Sequence, residues 1–461
     1  MRKKRIIGLL ALAATFLFAG CSGSVETGPV PTITPRPTVT PAPTPTPVVV
    51  VQGGNGDQVE EVSVYETKKY KEYYEKENKL PQLKLAHKDV FSVSMDVLMI
   101  DVMDEKRAAI LKEQFDSIGV KQDFMPENIM DYETAKVSED KTHIPLMFSA
   151  ADVILKFAQE NNIAVRGPRL IMEETPAWAF TKDLDRNQVV ETTDAEGVTT
   201  TTVEYADAEV ITMRLENYIK DIITYCNTNY PGVVISWEIL DNPINAAESN
   251  DTKYRSNYWL KTIGDDYIVQ ACEFARKYAT PEQKLIVSQD GLDEAKTLAP
   301  SLTMFDMLKE KKLIDGIGIQ SHYSVNGPSV FDMADMMKKL DATGLELHFT
   351  EFNVDGNQCD RGDLKLSDEE RRDRGVKRTK AIMTNILNYE VKTNYDITSV
   401  SFEALTNENA NLNQPKEYID YETLEVMYGV QMESYPSMFD ADLTVSDVFF
   451  AIIGDITIKN Y

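Results

Sequence analysis

From about residue 90 onward the chain switches repeatedly between two hydrophobic patterns. Short apolar runs occur at Phe91–Val97, Val120–Met125, Ala164–Met172, Val233–Leu240, Lys284–Asp290, Ile314–His322, Leu345–Val354 and Ile397–Leu405. They lack strict alternation, as expected of strands buried on both faces of a parallel sheet. Between them lie amphipathic stretches of helical period, including Glu105–Ser117, Ala150–Asn161, Met213–Asn229, Tyr258–Ala279, Val330–Asp341 and Glu369–Glu390. Eight such alternations predict an α/β chain of the (β/α)8 TIM barrel type, with a doubly wound open sheet as the alternative. In a barrel, polar residues at the C-terminal ends of strands are the functional candidates. Thr192–Asp207 reads as a β-hairpin inserted after the third strand, a lid or binding arm in one reading and a solvated decoration in the other.

The first residues follow a different pattern. Met1–Arg5 is basic, Ile6–Phe18 is apolar, and Ala19-Gly20 precedes Cys21. The apolar run is shorter than the ~20 residues a spanning helix needs, so residues 1–20 are expected to be a secretory signal. Ala-Gly-Cys resembles a bacterial lipobox, which would make Cys21 an acylated N-terminus; an ordinary cleaved signal is the alternative. Residues 21–60 are rich in Pro, Thr and Val, with proline at every second position of Pro41–Pro47. Such a stretch cannot supply helix or ladder donors and predicts an extended tether. The expected place is the outer face of the cell membrane, held by lipid, with residues 61–461 forming the barrel.

The formal net charge of −26 argues against nucleic acid and anionic lipid surfaces as partners, since both select basic faces. Besides Cys21 only Cys226, Cys272 and Cys359 remain, too few and too scattered for a disulfide framework or a zinc site. With four histidines in all and no His-x-x-x-His, no metal and no cofactor is expected.

Two strand ends carry chemistry. Glu351 ends the run Leu347-His-Phe-Thr-Glu351, where an ionisable side chain is costly to bury unless hydrogen-bonded or used. Gln320-Ser-His322 ends the neighbouring run, and a histidine one strand away can orient a carboxylate and tune its pKa.

These segments, with Leu83–Phe91, Phe115-Asp-Ser-Ile, Val165-Arg-Gly, Thr175-Pro-Ala-Trp178, Ser236-Trp237 and Pro436-Ser-Met-Phe-Asp, resemble in order glycoside hydrolase family 10, the retaining β-1,4-xylanases. The resemblance implies Glu351 as nucleophile, supported by Gln320 and His322, and a xylan-type polysaccharide as partner. It also exposes departures. The family's fourth strand ends Trp-Asp-Val-Val-Asn-Glu, whose Glu is the general acid/base; here Trp237-Glu-Ile-Leu-Asp241-Asn242 puts an amide there. The family's Glu-Asn-Glu-Met-Lys corresponds to Lys121-Gln122-Asp123-Phe124-Met125, and its Gly-His-Thr-Leu-Val-Trp-His to Gly167-Pro-Arg-Leu-Ile-Met172-Glu173. The family's Trp-Gly of strand eight falls at Glu403-Ala404, and its Asn-Asp-Tyr at Ser288-Gln289-Asp290.

An amide cannot protonate a leaving oxygen, so hydrolysis is expected to be weak or absent. Asp241, Glu173, Glu174 and Glu403 are the carboxylates that could stand in, although consecutive strand residues face opposite sides, which separates Asp241 from the place of Asn242. Three functions follow: a glycan-engaging surface lipoprotein with little hydrolysis, an active retaining glycosidase with a substitute acid, and a structural or protein-binding barrel.

Overall fold

The computed structural model describes residues 62–65, 67–193, 199–245, 253–357, 362–393, 397–419 and 426–458. They belong to one compact unit, Thr44–Tyr461; the other, Met1–Pro43, lies outside the described residues, as do Cys21, the signal, the tether and Cys359.

Nine strands form one parallel sheet: β1 (Ser92–Val97), β2 (Ser117–Val120), β3 (Ala164–Arg166), β4 (Arg169–Ile171), β5 (Ser236–Asp241), β6 (Lys284–Gln289), β7 (Gly316–Ser324), β8 (Glu346–Asp355) and β9 (Ile397–Phe402). Their spatial order is β3-β2-β1-β9-β8-β7-β6-β5-β4. The end strands β3 and β4 are separated in sequence only by Gly167-Pro168, so they are two halves of one stave and the sheet closes as an eight-staved barrel. Gly167 has φ +42°, which only glycine adopts without cost, and Pro168 has no N–H to donate, so the stave bends here.

A helix follows each stave: α1 (Glu105–Gln114), α2 (Ser149–Asn161), α3 (Ala208–Asn229), α4 (Tyr267–Tyr278), α5 (Ala295–Glu310), α6 (Val330–Asp341), α7 (Asp368–Thr393) and α8 (Asp447–Ile453). The expected barrel is therefore the architecture found. The expected helix over Tyr258–Ala279 is broken at Gly264, φ +82°, into Tyr258–Ile263 and α4. The insertion after the third stave is an antiparallel hairpin, Val189–Thr193 with Thr199–Val203.

Two expectations are corrected. The second strand is Ser117–Val120, not Val120–Met125, which instead turns into a short 3-10 helix at Gln122–Phe124. All four residues of β2 are buried, so no change of period marks where the preceding helix stops. The strands also alternate after all. Asp96, Gly119, Arg166, Arg169, Ser236, Glu238, His348, Thr350, Ser399 and Ser401 line the interior cavity of the barrel. Their neighbours Val93, Met95, Ile118, Val165, Leu170, Trp237, Ile239, Leu347, Phe349 and Val400 are buried in the hydrophobic core. Apolar cohesion thus resides largely between sheet and helices, while the barrel interior is polar and small.

Gly119 sits opposite Asp96 in the ladder, and a Cβ there would overlap Asp96 Oδ1. Gly119→Ala is expected to destabilise the protein by about 1–3 kcal/mol through overpacking. Adding Asp96→Ala should restore most of that loss in urea melts; an unrescued double variant would show that the clash lies elsewhere.

Candidate active site

Strands β4, β5, β7 and β8 bring ionisable groups together around one cation. Arg169 opens β4 and points into the barrel. Its Nη1 lies 2.7 Å from Glu351 Oε1 and 3.8 Å from Asp241 Oδ2. Carboxylate oxygens of Glu238, Asp241 and Glu351 all lie within 4.8 Å of one another. That spacing is one a metal ion could use, but the positive charge beside Glu351 and Asp241 is the Arg169 guanidinium. Below it lies a cavity of about 40 Å³, room for a water or two.

Backbone geometry re-aims these side chains. Glu351 has φ +50° and Asn242 φ +55°, both in the left-handed region, and the ladder register slips beside each, between Glu238 and Leu240 and between Phe349 and Phe352. Asparagine tolerates this conformation; for glutamate it is a strained position held by the surrounding sheet. Bulges of this kind commonly sit beside functional groups.

The proton distribution follows from burial and charge. Burial raises the pKa of Glu238 and of Asp241, Arg169 pulls each back, and their acidic neighbours push them up again. Asp96, hydrogen-bonded by Ser401 Oγ at 2.9 Å, is raised by burial and by Glu351 to about 7. Glu351 goes the other way. Burial opposes its charge, but Arg169 and then His322 outweigh it, and the carboxyl is held below its ordinary value. Arg169 is correspondingly raised, because the surrounding carboxylates overcome its burial. Unequal environments push neighbouring carboxyls apart: Glu351 ionises first, and Asp96, Glu238 and Asp241 keep their protons to higher pH.

The other residues singled out in the sequence divide into two groups. Gln320 Nε2 donates to Asp241 Oδ1, and His322 Nε2 lies 3.4 Å from Glu351 Oε2. Burial works against a charge on His322, but Glu351 raises its pKa. Asn353 Nδ2 meets His322 Nδ1 at 3.0 Å and Glu403 Oε2 at 3.4 Å; Glu403 in turn pairs with buried Lys121. One polar chain therefore links Glu351 to the stave that carries Glu403. Asn242 faces elsewhere: its Oδ1 accepts from Gln289 Nε2 at 2.7 Å and from the Asp290 N–H at 2.9 Å. Glu173 is exposed and pairs with Arg255 at 3.1 Å, and the exposed Gln122 is engaged through its backbone carbonyl by Asn128. Among the described residues, neither pairs with the Glu351 cluster.

Arg169, Glu238 and Asp96 were not recognised as site elements in the sequence, nor was the pairing of Lys121 with the candidate Glu403. The available signal was an ionisable residue inside an apolar strand, as in Arg169-Leu-Ile and Trp237-Glu-Ile-Leu, which demands a buried partner. The free thiols Cys226 and Cys272 are buried, and burial raises both.

Stability should fall as pH rises from 6.5 to 8. In that window Asp96 and Glu238 lose protons in the folded state, whereas the unfolded chain has already lost them; Asp96 alone accounts for about 1 kcal/mol. Below 6.5 the buried His87 and His348, both lowered by burial, work in the opposite direction. Asp96→Asn should flatten the dependence of Tm between pH 6.5 and 8; an unchanged slope would remove Asp96 as its source.

A family profile described as glycosyl hydrolase family 10 matches residues 82–454. The endo-1,4-beta-xylanase B of Butyrivibrio fibrisolvens is 28% identical over 381 residues, covering 80% of this chain and 52% of that one. The endo-1,4-beta-xylanase B of Paenibacillus barcinonensis is 27% identical over 332 residues, covering 71% and 86%. The chain thus spans about half the length of the first of these relatives. Among solved structures, xylanase XynB of Paenibacillus barcinonensis, crystallised with a conduramine derivative, superposes with TM-score 0.63 at 22% identity over 82% of this chain and 99% of that one. Native CbXyn10B gives TM-score 0.62 at 24% identity over 81% and 98%. With the barrel closed and Glu351 at the end of its seventh stave, the chain belongs to glycoside hydrolase family 10.

Proposed function

We propose that this chain is a lipid-anchored family 10 barrel that engages β-1,4-linked, xylan-type chains outside the cell and hydrolyses them weakly or not at all. The observation that carries this reading is the Arg169–Glu351 contact of 2.7 Å, with Asn242 at the position of the acid. A retaining cleavage needs one carboxylate free to attack the anomeric carbon and another carboxyl, about 5–5.5 Å away, to protonate the departing oxygen. Here one oxygen of the Glu351 carboxylate is in ion-pair contact with a guanidinium, and the Asn242 carbonyl is occupied by two donors. A related mutant structure holds xylotriose, which supports a xylan-type partner for this cleft.

The test uses soluble xylan and an aryl xyloside whose leaving group needs no protonation. Wild type should leave xylan intact or nearly so. Asn242→Glu alone should recover little, because Arg169 still holds the nucleophile. Arg169→Thr with Asn242→Glu should raise xylan cleavage about 10²–10⁴-fold over wild type, the usual worth of general acid–base help. Wild-type turnover of xylan at about 1–10³ per second, abolished by Glu351→Gln, would sink the proposal.

One observation favours a second reading, in which Asp241 is the acid: its carboxyl lies close to Glu351 and its pKa is raised by burial. A proton donor is needed in its acid form, so cleavage by this route would fall as pH rises through the raised pKa of Asp241. Asp241→Asn should then abolish xylan cleavage while sparing the aryl substrate; equal loss on both substrates would reject Asp241 as acid.

A further inference from the structure

A groove of about 430 Å³ lies apart from the Glu351 cluster, between the first turns of α7 and the segment leading into α8. Both helices start at the C-terminal end of the barrel, the end that carries Glu351. We infer that this groove is a second binding site for a neutral glycan chain, built around the Arg372–Tyr435 stack.

The stack is pre-organised. The Arg372 guanidinium carbon lies 3.7 Å from the centroid of the Tyr435 ring. Its Nη1 donates to Asp440 Oδ1 at 2.9 Å and Oδ2 at 3.2 Å, and Asn407 Nδ2 holds the same carboxylate at 2.8 Å. A flat cation–aromatic pair held this way offers a sugar ring a rigid surface at little entropic cost. Val376 and Val445 add apolar surface for the C–H faces of the rings. Glu369 is exposed on the rim, where its carboxylate can accept from paired hydroxyls, and Asp373, held by Lys377 at 2.6 Å, keeps its second oxygen beside it.

Charge selects the ligand class. The groove is lined by Glu369, Asp373, Asp440 and Asp447; Asp440 pairs with Arg372, Asp373 with Lys377 at 2.6 Å and Asp447 with Lys71 at 2.7 Å. The one guanidinium in the lining is thus already engaged, so a uronate finds no partner cation there and meets Glu369, whereas hydroxyl-rich neutral chains are accepted. The volume falls in the range of ~300–1,000 Å³ typical of ligand sites, enough for a short stretch of chain. Two sites on one end of a barrel would raise retention on a polymer without a new contact in the cleft, because the second engagement is intramolecular.

The inference rests on the proposed function only for the choice of probe, xylohexaose. The full chain is titrated with it by calorimetry, alongside Tyr435→Ala, Glu369→Ala and the cleft variant Gln320→Ala. Wild type should bind two equivalents. Tyr435→Ala should bind one, and Glu369→Ala, a change at an exposed position, should weaken one site at least threefold with an unchanged Tm. Gln320→Ala should leave the groove site intact. Two equivalents with unaltered affinity in Tyr435→Ala and Glu369→Ala would overturn the groove, while leaving the cleft reading standing. Loss of all binding in Gln320→Ala, or no binding by wild type, would also overturn it. One equivalent in wild type that survives Gln320→Ala and is lost in Tyr435→Ala would keep the groove and reject the cleft reading.

Discussion

Arg169 is the one charge on which the barrel interior depends. Asp96, Glu238, Asp241 and Glu351 crowd the same space, and all of them cannot ionise in a medium that solvates charge poorly. A single guanidinium settles the distribution. The carboxylate it touches, Glu351, takes the charge, and burial drives the others toward their acid forms. Removing one partner of such a buried pair typically costs about 3–5 kcal/mol, because the remaining charge is left without compensation. In the proposed reading the pair serves the fold and opposes the chemistry at once. The contact that makes an ionised Glu351 tolerable is also the one that would hold it back from attack.

A second buried pair repeats the theme on a neighbouring stave. Lys121 and Glu403 stand where the family places a sugar-binding glutamate and a tryptophan, and they satisfy each other instead. Glu403 also accepts from the Asn411 N–H at 3.0 Å and from Asn353, and Asn353 meets His322. Groups that would otherwise hydrogen-bond a sugar ring are hydrogen-bonded to one another. A ligand entering here must break that chain before it gains contacts of its own, which lowers its net affinity. Lys121 and Glu403 are thereby tied through Asn353 and His322 to Glu351 in one connected network.

The fold was legible in the sequence because it rests on apolar staves and helices whose order survives in the hydrophobic pattern. The helix at Val330–Asp341 was placed to the residue, since its period is strong and Ser329 caps it through the Asp332 N–H. The second strand was misplaced because four buried residues carry no period. Glu351 and His322 were legible as strand-end polar residues and do meet in space. Arg169 was not, although it was written among the altered residues of its strand. A substitution in sequence shows what is lost, here a threonine; it does not show which carboxylate four staves away the new side chain will reach. Gln122 and Glu173 have partners outside the Glu351 cluster for the converse reason, since position in a motif does not fix the direction of a long side chain at a strand end.

The separation of cohesion from chemistry explains how this chain keeps the family's barrel with so different a centre. The apolar positions that bind sheet to helices alternate with the inward ones, so the two sets vary independently. Exchanging inward residues costs little provided their charges are balanced, and Arg169 and Lys121 supply that balance. Fold alone therefore says nothing about whether the cleft is catalytic. The state of Glu351 and the supply of an acid beside it do, and Arg169 with His322 sets the first of these.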